Sequence, residues 1–345
     1  MPQAALLAAI SLFGGLAVAV VAFGPFVALA YRRYKRLTWR YMLASLGFLI
    51  YFMAVWVYTL LFFPDPDKIK CVKPQLTPFY SVRDALNYPH GSLAELLHNP
   101  VVVQTTLNVA LFIPLGVFVR VLWDRGVVVA TLAGAGLSAF VETTQLTGVW
   151  GLYRCAYRVF DVDDIITNTT GALIGALMAL ALPRGWFIPQ ALPAGEPAPV
   201  TLGRRLVAMA CDGIGLFVLG TFGGLVANIL SGRSQTPGMS ATAAQTTFWL
   251  PFAIQAACVL VWGRTLGDLA TRLRWEPARP AWAWRRAMRF LGGIGGFQLL
   301  GLATGNWAYL QALFVLVALV AAKGAGRARG LPGLLGHQTL VDSRA

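Results

Sequence analysis

Arg158-Val159-Phe160-Asp161-Val162-Asp163-Asp164 stands between two apolar stretches, 126–147 and 165–182, and how it is read decides the fold. Both flanking stretches carry polar residues at helical spacing. Ser138, Glu142 and Gln145 fall at i, i+4 and i+7. Asp161, Asp164, Asn168, Gly171 and Gly175 fall at i, i+3, i+7, i+10 and i+14. Each set therefore runs along one side of a helix. An ionisable side chain inside an apolar span is costly and by default marks a site with a partner. Glu142 is such a residue, and Arg158 or an acid-bound cation is its expected partner.

Beyond this stretch the composition fixes the class. Hydrophobic residues are 57% of the 345 and charged residues 12%, against about 25% charged in soluble domains. With a mean hydropathy of +0.64, the chain reads as a polytopic membrane protein, not as a soluble domain with one anchor. The net charge of +14 would suit nucleic acid, but the basic residues punctuate apolar spans and no basic-aromatic module accompanies them. Nucleic acid is excluded as a partner.

A helical span needs about 20 apolar residues. Windows that meet this, or nearly so, fall at 4–30, 42–63, 101–122, 126–147, 165–182, 206–230, 246–263, 288–304 and 306–322. The first window ends in Ala28-Leu29-Ala30, which looks like a cleavage site. Yet no basic residue precedes it, it is too long for a signal core, and Arg32, Arg33, Lys35 and Arg36 follow it, so it is expected to be a retained span. Nine spans place 21 of the 28 Lys and Arg residues inside and 7 outside. A single last helix broken at Gly305-Asn306 would move Lys323, Arg327 and Arg329 outside, against the positive-inside bias. The expectation is an all-α transmembrane bundle of about nine spans, five plus four. It sits in the bacterial cytoplasmic membrane, with the amino terminus outside and the carboxyl terminus cytoplasmic.

In this topology 64–100 and 148–164 are outer loops. Residues 184–202, rich in Pro and Ala with little charge, read as a cytoplasmic linker between a domain at 1–183 and a second at 203–345. Cys211 and Cys258 lie within apolar spans and read as small buried residues. Cys71 and Cys155 both fall in outer loops, on the oxidising side in bacteria. A disulfide between them would tie the long loop over the charged cluster; the alternative is two unpaired loop cysteines.

Several motifs in a fixed order carry a resemblance. They are Leu76-Thr77-Pro78-Phe79, Asn108 with Leu111-Phe112-Ile113-Pro114-Leu115-Gly116, Ser138…Glu142…Gln145, and Arg158…Asp161…Asp164…Asn168…Gly171…Gly175. Residues 76–182 thus resemble the VanZ family of bacterial membrane proteins, named for a protein linked to glycopeptide (teicoplanin) resistance. From 203 onward, Arg205 and Asp212, Gly263-Arg264-Thr265-Leu266-Gly267, and the tail with Arg329-Gly330-Leu331 and Thr339-Leu340-Val341 resemble the RDD family, some members of which are associated with cation/proton exchange. Gly333 stands where that family usually carries a second Asp, and Asp268 where a Lys is common.

Simpler readings stand beside these. Asp161, Asp163 and Asp164 precede a helix, where acids cap free amides and suit the macrodipole. Gly171-x-x-x-Gly175 is a close-packing pattern. Asn108 and Gln145 have an interhelical hydrogen-bonding role open to them. Capping explains neither Glu142, about two turns inside its span, nor Arg158 beside three acids. His90 and His98 read as solvated loop residues, and no metal or cofactor is expected. The expectation is a polar pocket facing outward between spans three, four and five. It is lined by Asn108, Ser138, Glu142, Gln145, Arg158, Asp161, Asp164 and Asn168. It would bind, or act on, an anionic envelope lipid or lipid-linked cell-wall precursor. Glu142, Asp161 and Asp164 are the candidates for any catalysis, and a cation/proton-coupled transporter is the alternative.

Overall fold

The computed structural model describes residues 2–60, 65, 69–183, 185–191, 193, 196–232, 239–276, 282–302, 309–324 and 330–344. In chain order the helices are α1 (Pro2–Tyr34), α2 (Trp39–Leu60), α3 (Tyr80–Ala85), α4 (Leu93–His98), α5 (Pro100–Trp123) and α6 (Val127–Leu146). A single turn of left-handed backbone, α7 (Gly148–Gly151), leads to α8 (Val162–Met178). There follow α9 (Leu202–Leu230), α10 (Ala241–Ala257), which continues as a π-helical segment over Cys258–Trp262, and α11 (Leu266–Ala270). After β1 (Leu273–Glu276) come α12 (Trp282–Leu291), α13 (Ile294–Leu300), α14 (Tyr309–Gly324), α15 (Gly330–Leu335) and β2 (Thr339–Asp342). The chain is an all-α polytopic bundle apart from one small antiparallel ribbon, β1 with β2. Among the described residues, seven helices are long and apolar enough to cross a membrane, and α14 is a shorter apolar helix.

The eighth window read from the sequence looks different in the structure: of its described residues, 288–291 end α12 and 294–300 form α13, with Gly292-Gly293 between them. The window averages across this break because α12 is amphipathic, with Arg285, Arg286 and Arg289 on an otherwise apolar and aromatic segment. The Gly305-Asn306 junction lies outside the described residues.

Two compact units emerge, Met1–Ala19 with Thr38–Pro189, and Val20–Leu37 with Gln190–Ala345. In the first, α8 packs on α5 and α6 around Phe112, Leu115, Val119, Ala130 and Ala176. Helix α5 starts at Asn99, whose side chain accepts from Val101 N (3.0 Å), and Pro100 fills its first position, where no amide partner is needed. Large apolar side chains such as Leu107, Val128 and Leu132 remain exposed on the helices, as suits a hydrocarbon solvent.

The second unit closes its ribbon over Ala208, with Leu273, Trp275 and Leu340 buried together. Helix α9 packs on α10 through Gly220 and Gly224, whose bare backbones face Thr247. Part of the expected linker is held in place. Arg204 donates to the carbonyls of Ala198 (3.0 Å) and Pro199 (3.4 Å), Lys35 Nζ donates to Glu196 O (2.9 Å) and Pro193 O, and Ala198 N donates to Asp342 (3.2 Å). Proline-rich segments carry few amides of their own, and here their carbonyls are satisfied by long cationic side chains.

Candidate functional site

In the first unit a strap of extended chain meets the charged stretch. Gln75 pairs with Asp161 in parallel fashion, Gln75 N donating to Phe160 O (2.8 Å) and Val162 N to Gln75 O (3.2 Å). Val72 N donates to Ala156 O (3.0 Å), and Arg154 Nη2 reaches Ile69 O (3.2 Å). Cys71 and Cys155 form a disulfide with Cα atoms 5.6 Å apart, which fixes the strap to the same segment.

Each acid of the cluster has its own partners. Asp161 caps α8 by accepting from Asp163 N (2.8 Å), in an extended conformation suited to that position. Glu142, 3% exposed, accepts from the Asp161 amide (3.0 Å). Asp164 accepts from Asn108 Nδ2 (2.7 Å), which ties α8 to α5. Asn168 Nδ2 donates to Ser138 Oγ (2.9 Å), and that hydroxyl donates weakly to the Asp164 carbonyl (3.5 Å). These bonds form two groups at the start of α8, Asn108 with Asp164, Ser138 and Asn168, and Glu142 with the Asp161 amide. Burial pushes the Asp161 carboxyl above its usual range, with the Asp163 amide pulling the other way and the Asp163 charge adding to the rise.

Gln145 and Arg158 meet at a different point, the Thr59 carbonyl near the end of α2. Gln145 Nε2 donates to it at 3.0 Å and Arg158 Nη1 at 3.2 Å. Arg158 is exposed. Among the described residues it forms no ion pair with Glu142, Asp161 or Asp164. Glu142 thus meets the Asp161 amide in place of the expected Arg158, whose guanidinium is turned to the end of α2.

Asp163 was legible only as a cap, and the structure gives it a larger part. It is 4% exposed, and its two oxygens accept from Phe79 N (2.6 Å) and Ser81 N (2.7 Å). Phe79 is held at φ 62°, a left-handed position that costs a non-glycine residue about 1 kcal/mol or more. The carboxylate offsets that cost by taking the amide so exposed. Asp163→Ala is expected to leave the Phe79 and Ser81 amides without their acceptor, at about 1 kcal/mol each, since Phe79 is exposed and Ser81 half-buried. The checks are a lower melting temperature for the full chain and faster hydrogen exchange at Phe79 and Ser81; unchanged exchange would contradict the assignment. Near the cluster, the Tyr157 hydroxyl and Asn168 Oδ1 are buried with no partner among the described residues.

In the second unit Arg205 and Asp212, one motif in the sequence, do not pair. Arg205 bonds Asp268 (2.9 Å), which also accepts the Trp275 indole N–H (2.8 Å). Asp212 accepts from Gly267 N (2.7 Å) and Gln255 Nε2 (3.0 Å). Arg204 is the more deeply bonded arginine, pairing with Asp342 at 2.7 Å. That partner lies 138 residues away, and no spacing signals it.

The chain matches no curated protein and no solved structure. The family model described as VanZ/LLP1 matches residues 48–183, and that stretch of the chain is a VanZ-like domain.

Proposed function

We propose that the VanZ-like domain binds, or acts on, an anionic envelope lipid or a lipid-linked cell-wall precursor, with Arg158 taking the phosphate. Such a role would fit a link to glycopeptide resistance. The observation that carries it is the state of Arg158. Every acid of the cluster has a donor of its own, whereas the guanidinium is exposed and, among the described residues, spends one N–H on the Thr59 carbonyl. Its remaining donors suit a phosphate group, which an arginine binds through a planar fork and a lysine only as a point charge. The three carboxyls would then meet sugar or glycerol hydroxyls at the rim.

The reading places the protein in the bacterial cytoplasmic membrane, with the amino terminus outside and the carboxyl terminus in the cytoplasm. A reporter fused after Ala345 and active only in the periplasm would contradict that orientation. It also treats residues 203–341 as an RDD-like module marked by Arg205 and Asp212.

Native mass spectrometry of the purified full chain tests the ligand. Wild type is expected to carry an anionic lipid mass. Arg158→Lys is expected to lose most of it, about tenfold for one lost charged hydrogen bond, and Glu142→Gln to lose less. Unchanged lipid in both variants would reduce the cluster to a helix cap.

A cation/proton-coupled transporter is the second reading. It is favoured by Glu142, a buried carboxyl within a span with no cation at ion-pair distance among the described residues. Proton flux in vesicles that vanishes in Glu142→Gln while lipid binding persists would select it.

A further inference from the structure

The second unit holds a cavity of about 340 Å³ whose walls divide by chemistry. One side presents Arg205, Asp212, Asp268 and Arg289; the other is apolar, with Phe297 from α13 and Phe314, Ala318 and Leu319 from α14. Three of the charged groups have partners, as described above. Arg289 differs. It is 3% exposed, and its Nη2 donates to Gly263 O (2.8 Å), but Nε and Nη1 are buried with no partner among the described residues. Its guanidinium carbon lies 5.1 Å from the Trp275 ring centre, and that of Arg205 lies 5.2 Å from it. A permanently charged group with two unmet buried donors is costly until an acceptor reaches it.

The surroundings indicate what kind of acceptor. Helix α12 carries Arg285, Arg286 and Arg289 beside the exposed Trp284, the composition of a helix at the headgroup level of a membrane. Helix α14 is apolar from Ala312 to Ala322, and its Leu316 and Val320 are exposed. The cavity thus joins a cation to a hydrocarbon wall. A free phosphate would leave Phe297, Phe314 and Leu319 unused, and an uncharged lipid would leave the Arg289 donors unmet.

We propose that this cavity binds one anionic lipid, its phosphate accepting from the unmet N–H groups of Arg289 and its acyl chain lying along Phe297, Phe314 and Leu319. The site is separate from the VanZ-like domain and does not depend on the role proposed there.

The test uses the full chain in nanodiscs containing phosphatidylglycerol with a photoreactive acyl chain, and maps adducts by residue. Adducts are expected at Phe297 and Phe314, with those at exposed Leu316 and Val320 as the measure of bulk lipid contact. Excess unlabelled dioleoyl phosphatidylglycerol should remove the inner adducts, whereas dioleoylglycerol and inorganic phosphate should not. Arg289→Gln should lower the inner yield about tenfold while leaving the outer one unchanged. Ala318→Phe, which fills the cavity without touching the charge, should do the same. Inner adducts that persist in both variants would overturn the proposal. So would equal displacement by dioleoylglycerol, which would mean the charge plays no part, or by inorganic phosphate, which would make free phosphate the ligand. The competition arm needs no variant and decides the matter even if a substitution prevents folding.

Discussion

Gly175→Leu is expected to prevent the VanZ-like domain from folding. Helices α5 and α8 meet with their backbones almost in contact. A side chain at Gly175 would land on the Ile113 carbonyl oxygen, one at Gly171 on that of Val109, and one at Gly116 on that of Ala172. The buried face of α8 is Asn168, Gly171, Ala172, Gly175 and Ala176, small residues that let two helices approach. In a bilayer no hydrophobic force draws helices together, so close packing and polar contacts carry the association. Overpacking typically costs about 1–3 kcal/mol and more where only backbone can yield, so alanine should weaken the domain and leucine should disrupt it. The separation would also pull Asn108 from Asp164, since Asn108 adjoins Val109 on α5. Size exclusion and thermal unfolding of the full chain check this, with Gly136→Ala as the control. Gly136 lies within α6 with nothing near its missing side chain, so that change should be neutral or slightly stabilising. A Gly175→Leu chain as stable as wild type would mean α5 and α8 are not packed this way.

The second large effect is expected at Arg204. This side chain, 3% exposed, donates to Asp342 (2.7 Å) and to the carbonyls of Thr271 (2.8 Å), Arg272 (2.9 Å), Ala198 and Pro199, and its guanidinium lies 5.3 Å from the Tyr31 ring centre. It fastens the start of α9 to the one end of the ribbon where β1 begins and β2 stops. Arg204→Met is expected to cost about 3–5 kcal/mol, because Asp342 keeps a buried charge while several carbonyls lose their donor. For a chain of this size that is a fall of about 10 °C in melting temperature. The same contact sets a pH dependence. Burial pushes the Asp342 carboxyl up, but the Arg344 amide and then the Arg204 guanidinium outweigh it and hold the group below the ordinary carboxylate range. Its contribution is therefore present above the pKa of an unfolded Asp, and is lost as the pH falls through the lower folded value. Wild type should destabilise on acidification through that window more steeply than Arg204→Met; equal slopes would contradict the assignment.

Much of this was readable from local spacing, and what was missed shares a physical reason. The polar stripe of Ser138 and Glu142 and that of Asp161, Asp164 and Asn168 are periodic, so their shared faces are visible in the sequence, as is the small-residue face of α8. Partner choice is not periodic. The Phe79 and Ser81 amides that hold Asp163 lie 84 and 82 residues before it, and Asp342 lies far beyond Arg204. Nothing in the spacing around Asp268 names its partners; the structure gives it Arg205 and Trp275. Hydropathy also hides short amphipathic helices. It merges α12 with α13, and Arg289 then reads as a topology marker when its side chain is buried in a cavity wall. Gln145 is the instructive partial case: its spacing puts it on the face of Glu142, but its amide turns to the end of α2.

Arg158 is proposed to present to a lipid phosphate the donors that no described residue takes. The most direct measurement places benzoylphenylalanine at Val159, which is 43% exposed beside Arg158, irradiates living cells, and weighs the adduct. The expected adduct has the mass of an anionic lipid or lipid-linked precursor, is enriched over its share of the membrane, and is lost in the Arg158→Gln chain. An adduct that mirrors bulk lipid composition, or that forms equally well in Arg158→Gln, would contradict the proposal.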